Sequence, residues 1–206
     1  MTFTVDYYFA LQSPWTYLGH ASFAAMAQQA NATVRLWPVD LGRVFPVSGG
    51  LPLGKRAPQR QAYRLVELQR YSDYLQVPLN LHPLHFPVSG DAASRLVIAT
   101  DTQCGSAPAM KLAGAVLAAV WAQERNIADE AVLVQLLQEC GLATDLLANS
   151  HSQAVQERYE ACTQAAIEAG VFGSPSYVID GEIFWGQDRL EFVQRKLLPH
   201  ERRLQG

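Results

Sequence analysis

Hydrophobic positions along the chain switch between a spacing of two and a spacing of three to four, and the switches divide it into elements. Residues 3–9, with Phe3, Val5, Tyr7, Tyr8 and Phe9, are rich in β-branched and aromatic side chains and predict a largely buried strand. Ser13 followed by Pro14 is a helix-start signal, a hydroxyl at the cap and a proline in the first turn. Tyr17, Leu18, Phe23 and Met26 carry that helix to about Gln29. Residues 34–37 read as a second strand ended by Pro38, so the first forty residues form a βαβ unit with parallel pairing. From Gly42 to about Pro58 the density of Pro46, Ser48, Gly49, Gly50, Pro52 and Gly54 predicts a long loop. Helical spacing returns with Tyr63, Val66, Leu68, Tyr71 and Leu75. Beyond a proline-rich stretch at residues 81–87 it predicts helices over about 92–102, 107–123 and 129–139. Two further helical pieces start near Thr144 and Ser152, the second closed by Gly170. The chain ends with strands at 176–179 and 182–185, joined by Asp180 and Gly181 as a two-residue hairpin, then an amphipathic helix opened by Gln187 or Asp188.

A βαβ unit, a helical block and a ββα unit in this order predict an α/β protein of thioredoxin-like fold. The expected layout is a single domain over residues 1–206, with an all-helical insertion at approximately 58–150 between the two halves. In that fold the first strand delivers the chain to a helix N-terminus where a reactive sulfur sits. Here the segment reads Ser13, Pro14, Trp15, Thr16, with hydroxyls at both cysteine positions of a CxxC motif. Dithiol–disulfide chemistry is therefore excluded at this motif. A helix N-terminus with free N–H groups and a hydroxyl donor remains, suited to a thiolate that another molecule supplies. Ser13 is equally readable as an N-cap alone.

The second informative segment runs from Gly170 to Arg189. Pro175 directly before the hairpin matches a cis-proline, and a cis bond would turn the Ser174 backbone outward to pair with an extended peptide. At the start of the last helix, Asp188 can pair with an ammonium and Gln187 can bond a carboxylate. Asp188 also reads as a charge that complements the helix dipole. Arg60 and Arg95 are each readable as a solvated surface charge or as a clamp for a substrate carboxylate. Tyr71, Trp15 and Phe45 read as pocket walls or as core packing.

Composition narrows the function classes. Of 206 residues, 49% are hydrophobic and 17% charged, which excludes a disordered chain. A net charge of -3 leaves no footprint for nucleic acid or an anionic membrane. No apolar run is long enough to span a bilayer. The start of the chain lacks the basic and apolar stretches of a signal peptide, so the expected compartment is the cytoplasm. Cys104, Cys140 and Cys162 are widely spaced and match neither a disulfide framework nor a metal site, and Cys140 and Cys162 read as buried small hydrophobes.

Residues 8–18, read together with the segment from Gly170 to Arg189, resemble the 2-hydroxychromene-2-carboxylate isomerase family, in the kappa-class glutathione transferase and DsbA-like group. The resemblance runs from residue 3 to about 197. It implies bound glutathione as cofactor, with Ser13 as the catalytic group at its sulfur. Ser174, beside Pro175, would hold the cysteinyl backbone, Gln187 and Asp188 the γ-glutamyl end. Arg60, three residues before Tyr63, stands where relatives carry a lysine and would clamp the glycine carboxylate. The implied reaction is a glutathione-dependent isomerisation of an aromatic hydroxy or oxo acid by reversible thiolate addition, and the implied assembly is a homodimer. A transferase that leaves glutathione on an electrophile, or a non-catalytic peptide-binding module, would use the same features. Three positions depart from the family pattern: Ala10 in place of an Asp, Gly49-Gly50 in place of Gly-Asn, and Ser89-Gly90 in place of Asn-Thr. The third lies beside the expected acceptor pocket.

Overall fold

In the computed structural model, which describes residues 3–198, one four-stranded sheet organises the chain. Strand β1 (Thr4–Phe9) pairs in parallel with β2 (Thr33–Pro38) across the crossover helix α1 (Pro14–Gln29). Its other edge pairs antiparallel with β3 (Ser176–Ile179), which pairs antiparallel with β4 (Glu182–Trp185), giving the order β2-β1-β3-β4. The hairpin between β3 and β4 is tight because Asp180 and Gly181 both adopt positive φ, 51° and 79°. Strand alternation sorts β1 onto two faces. Val5, Tyr7 and Phe9 join the main core with α1 and α9 (Leu190–Leu197), whereas Tyr8 packs with Val39, Val44 and Ala166 on the opposite face.

Between the two halves lie α3 (Pro58–Leu75), α4 (Asp91–Cys104), α5 (Ser106–Trp121), α6 (Glu130–Glu139) and α7 (Leu146–Ser150), and α8 (Gln153–Glu168) leads back to the sheet. The core continues from the sheet into these helices through Leu96, Leu112, Val116, Trp121 and Leu137, all essentially buried. A buried polar link ties the insertion to the sheet. Met110 O accepts from His20 Nε2 at 2.9 Å, which makes Nδ1 the acceptor for the Tyr7 hydroxyl at 3.1 Å. Burial holds the His20 pKa below its ordinary value, partly offset by the Met110 bond.

One expectation is corrected. The stretch from Gly42 to Pro58 is not a continuous loop: it contains α2 (Leu41–Ser48) and a 3₁₀ turn at Leu53–Lys55. Asp40 caps α2 by accepting from Gly42 N–H at 2.7 Å, and Gly49 closes it at φ 75°. Pro46 sits inside this helix, so proline and glycine density outweighed a genuine cap pair in the sequence reading. Gly50 lies against the Phe45 ring, leaving no room there for a Cβ. The Gly49-Gly50 pair therefore has a structural reason, to end α2 and let the chain fold back on it.

Candidate functional site

The carboxyl end of β1 delivers Ser13 to the start of α1 with φ -84° and ψ 124°, an N-cap geometry. Its hydroxyl accepts from Thr16 N–H at 3.2 Å and donates to Ser174 O at a long 3.4 Å. Trp15 N–H, in the first turn, has no intrachain acceptor among the described residues. Ser13 is thus both a cap and a weakly engaged donor at a helix N-terminus.

Ser174 faces it from the loop before β3, and the Ser174–Pro175 bond is cis, as the sequence segment predicts. The Ser174 hydroxyl accepts from Ala10 N–H at 2.8 Å and shares a 2.7 Å bond with the Thr16 hydroxyl. All of these atoms are buried. Thr16, the hydroxyl at the second cysteine position of the motif, is therefore the tie between α1 and the cis-proline loop. Pro175 O accepts from Gly186 N–H at 2.9 Å, fixing the loop's other side to the start of the last helix. Ser174 N–H has no acceptor among the described residues, which leaves a strand-like donor for a peptide ligand. Ala10 is fully buried, so its Cβ packs inward at a position where the family pattern has a carboxylate.

Gln187 and Asp188 open a 3₁₀ turn that leads into α9. The Gln187 side chain is packed against Gly19 of α1, where an added Cβ would lie 2.7 Å from it. It is only 6% exposed and makes no hydrogen bond among the described residues. The residue is buried but its amide atoms keep solvent contact, and an amide that reaches solvent with no intrachain partner is a group suited to ligand contact. Asp188 pairs with Arg189 at 2.5 Å. It also faces Tyr71, whose pKa is raised first by burial and then by the Asp188 charge. Trp15 and Tyr71 meet edge to face with centroids 6.1 Å apart, both half-buried, so they form an aromatic wall beside the α1 N-terminus.

Ser13, Ser174 and Pro175 are thus brought together directly, with Gln187 and Asp188 on the adjoining turn. Arg60 is not joined to them. It is exposed in the first turn of α3, about 16 Å along the helix from Tyr71 at 1.5 Å per residue, and its side chain makes no hydrogen bond or ion pair among the described residues. The arginine that α3 buries is Arg64, which lies over the Phe86 and Trp121 rings and whose pKa burial lowers to about 10.

Sequence reasoning missed Gln12. Its amide lies over Gly90, where a Cβ would stand 2.3 Å from Oε1, so glycine at 90 makes room for Gln12. Phe86–Pro87 nearby is a second cis bond without a hairpin beside it to signal it. No group of three or more His, Cys, Asp or Glu side chains among the described residues could hold a metal ion, and no described helix is long and apolar enough to cross a membrane.

A helix N-terminus facing a cis-proline loop defines a DsbA-like thioredoxin protein, and the family model described as DSBA-like thioredoxin domain matches residues 4–198. The chain is 33% identical to a 2-hydroxychromene-2-carboxylate isomerase of Pseudomonas putida, with 92% of each chain covered. It is 28% identical to the Sphingobium xenophagum protein of that name, over 96% of this chain and 100% of the relative. Glutathione S-transferase kappa 1 of Homo sapiens is 23% identical, over 94% of this chain and 90% of its own. A solved 2-hydroxychromene-2-carboxylate isomerase matches with a TM-score of 0.78 at 29% identity, covering 94% of both chains. The chain belongs to the DsbA-like thioredoxin family and, within it, to the 2-hydroxychromene-2-carboxylate isomerases.

Proposed function

We propose that the protein is a glutathione-dependent isomerase of an aromatic-catabolism intermediate, converting 2-hydroxychromene-2-carboxylate or a closely similar acid to the trans-o-hydroxybenzylidenepyruvate form. The observation that carries this reading is the junction of Ser13 with the Ser174–Pro175 loop. It presents a hydroxyl, an open helix N-terminus and an unpaired backbone N–H at one place, with no cysteine in the motif. Glutathione, when bound, supplies a thiolate that adds reversibly to an electrophilic carbon, which is what double-bond isomerisation by rotation needs.

The chain's own residues do the rest. Ser13 can turn its hydroxyl from a 3.4 Å acceptor toward a sulfur at little loss. Lowering a thiol pKa from about 8.5 by one or two units requires about 1.4–2.7 kcal/mol, within reach of one charge-assisted hydrogen bond and a helix end. Ser174 offers its outward N–H to the cysteinyl backbone beside Pro175. Gln187 is the unpartnered amide for an end carboxylate, and Asp188 the anion for an ammonium, in exchange for Arg189. Arg60 would serve the glycine carboxylate from the first turn of α3. Trp15 and Tyr71 shield the site's flank.

The reading includes a cytoplasmic homodimer. Its support is α3, which buries only Leu68 fully while exposing Tyr63, Val66 and Tyr74 at 57%, 45% and 81%. Sedimentation of the full chain tests the assembly. The decisive assay follows 2-hydroxychromene-2-carboxylate spectrophotometrically with and without glutathione. Conversion that depends on glutathione and returns it unchanged is expected. A product that retains sulfur by mass would make the protein a transferase, and no conversion in either arm would overturn the substrate assignment.

A further inference from the structure

Outside the Ser13 junction, the described residues line a half-open polar cavity of about 190 Å³ between α2, α4 and α8. It lies at the carboxyl end of the two parallel strands, the end where open α/β sheets bind ligands. Ser13 follows β1, and Asp40, on the cavity wall, follows β2, where Val39 N–H bonds Phe9 O at 2.9 Å. Gln12, next to Ser13, reaches Gly90, and the next residue, Asp91, lines the cavity. The Gln12–Gly90 contact therefore joins a neighbour of Ser13 to a neighbour of the cavity residue Asp91.

Its charged groups are unevenly satisfied. Asp91 accepts from the Tyr159 and Ser89 hydroxyls, both at 3.0 Å. Glu160 accepts from the Gln156 amide at 2.8 Å. Asp40 Oδ1 accepts from Gly42 N–H, while its Oδ2 has no donor among the described residues. Neither arginine on the wall has a carboxylate within 4.0 Å among the described residues, although three carboxylates share the cavity. The half-buried Arg95 guanidinium reaches only the Gln156 amide, at 3.4 Å, and the exposed Arg43 guanidinium makes no hydrogen bond among the described residues. Two guanidiniums beside one open carboxylate oxygen form a complement to an acid that carries a hydroxyl beside its carboxylate. The volume is below that of ordinary ligand pockets, so it accepts the end of a molecule rather than the whole.

We infer that this cavity is the subsite for the carboxylate end of the acceptor, with Arg95 and Arg43 binding the carboxylate and Asp40 accepting from the adjacent hydroxyl. The inference rests on the isomerase reading for the identity of the acceptor, and not for the cavity. It assigns recognition of the carboxylate to the arginines of α2 and α4, and preference for a 2-hydroxy over a 2-oxo acid to Asp40.

The test is a calorimetric titration of the full-length protein with trans-o-hydroxybenzylidenepyruvate, with its uncharged carboxamide, and separately with glutathione. The acid is expected to bind at least about tenfold more tightly than the carboxamide, the scale of a charge-assisted pair. Arg95→Gln should weaken the acid by about tenfold and Arg43→Gln by less, with the carboxamide and glutathione affinities unchanged. Arg95→Lys should recover part of the loss. Equal binding of acid and carboxamide, or wild-type acid affinity in both glutamine variants, or no acid binding by the wild-type protein, overturns the subsite. Failure of the wild-type protein to bind glutathione would instead overturn the cofactor assignment, and the acid titration would still decide the subsite.

Discussion

Ser13 stands between two polar regions that differ in how their groups are satisfied. Toward β3, the Ala10 amide, the Thr16 hydroxyl and the Ser174 hydroxyl close on one another at 2.7–2.8 Å in full burial. Toward α4 and α8, two arginines face the cavity with one 3.4 Å contact between them. A closed network has no capacity left for a ligand, but it holds backbone geometry firmly, which a site presenting Ser13 and the Ser174 backbone requires. An open set of donors holds nothing in place and is available for recognition. The two regions divide the labour: one positions the reactive end of the site, the other reads what comes to it.

The sharpest way to break this division is at Ser13 itself. Ser13→Ala should lower kcat by about 100-fold, the loss typical of one donor aimed at developing charge. It should also raise the pKa of bound glutathione thiol by at least about one unit, followed by thiolate absorbance. An unchanged titration would leave Ser13 as an N-cap only. The closed network is probed next by Thr16→Val, which keeps the shape and leaves the buried Ser174 hydroxyl with the Ala10 N–H but without its second partner. A stability loss of about 1–2 kcal/mol is expected in urea denaturation, with a smaller fall in kcat than Ser13→Ala gives. Wild-type stability in that variant would mean that the loop is held by other contacts.

The closed side was largely legible in the sequence and the open side was not, for a physical reason. Ser13-Pro14, Pro175 and Asp180-Gly181 are local signals, each acting through its own backbone preference, and all three appear where the chain order places them. The bond from Thr16 to Ser174 joins residues 158 apart, so only the fold reveals it. The cavity depends on three separate elements, one of which, α2, is concealed by Pro46 and the glycines that follow it. Arg95 carried two readings in the sequence because its spacing on α4 is that of any half-buried helix residue. Only its lack of a carboxylate partner, among carboxylates, separates them.

A third probe, of the buried link between the sheet and the insertion, uses pH. His20 is buried between Tyr7 and Met110, and its folded-state pKa lies below the ordinary value of 6.5. As pH falls below about 6.5 the unfolded chain takes up this proton and the folded chain does not. Stability should therefore decline with falling pH until the folded pKa is reached, by at most about 1.4 kcal/mol per pH unit for one proton. Above 6.5 this group contributes no slope. His20→Gln, which keeps a donor and an acceptor, should remove that share of the decline in urea midpoints measured across the same range. An identical slope in the variant would place the titration elsewhere.

The smallest expected effect lies on the boundary between the two regions, and it is the one that separates them. Gly90→Ala places a Cβ 2.3 Å from Gln12 Oε1, the far end of a flexible side chain, at a φ of -94° that alanine accepts. Gln12 should swing aside, so the stability change should stay below about 1 kcal/mol. If Gln12 shapes the entrance from Ser13 to the cavity, the acid Kd rises by about two- to threefold while the glutathione Kd holds. Trimming Gln12 to alanine in the same chain should then restore the acid affinity, because the clash is gone. A change in glutathione affinity in place of acid affinity would show that Gln12 belongs to the closed side, and the boundary would have to be redrawn on the far side of Gly90.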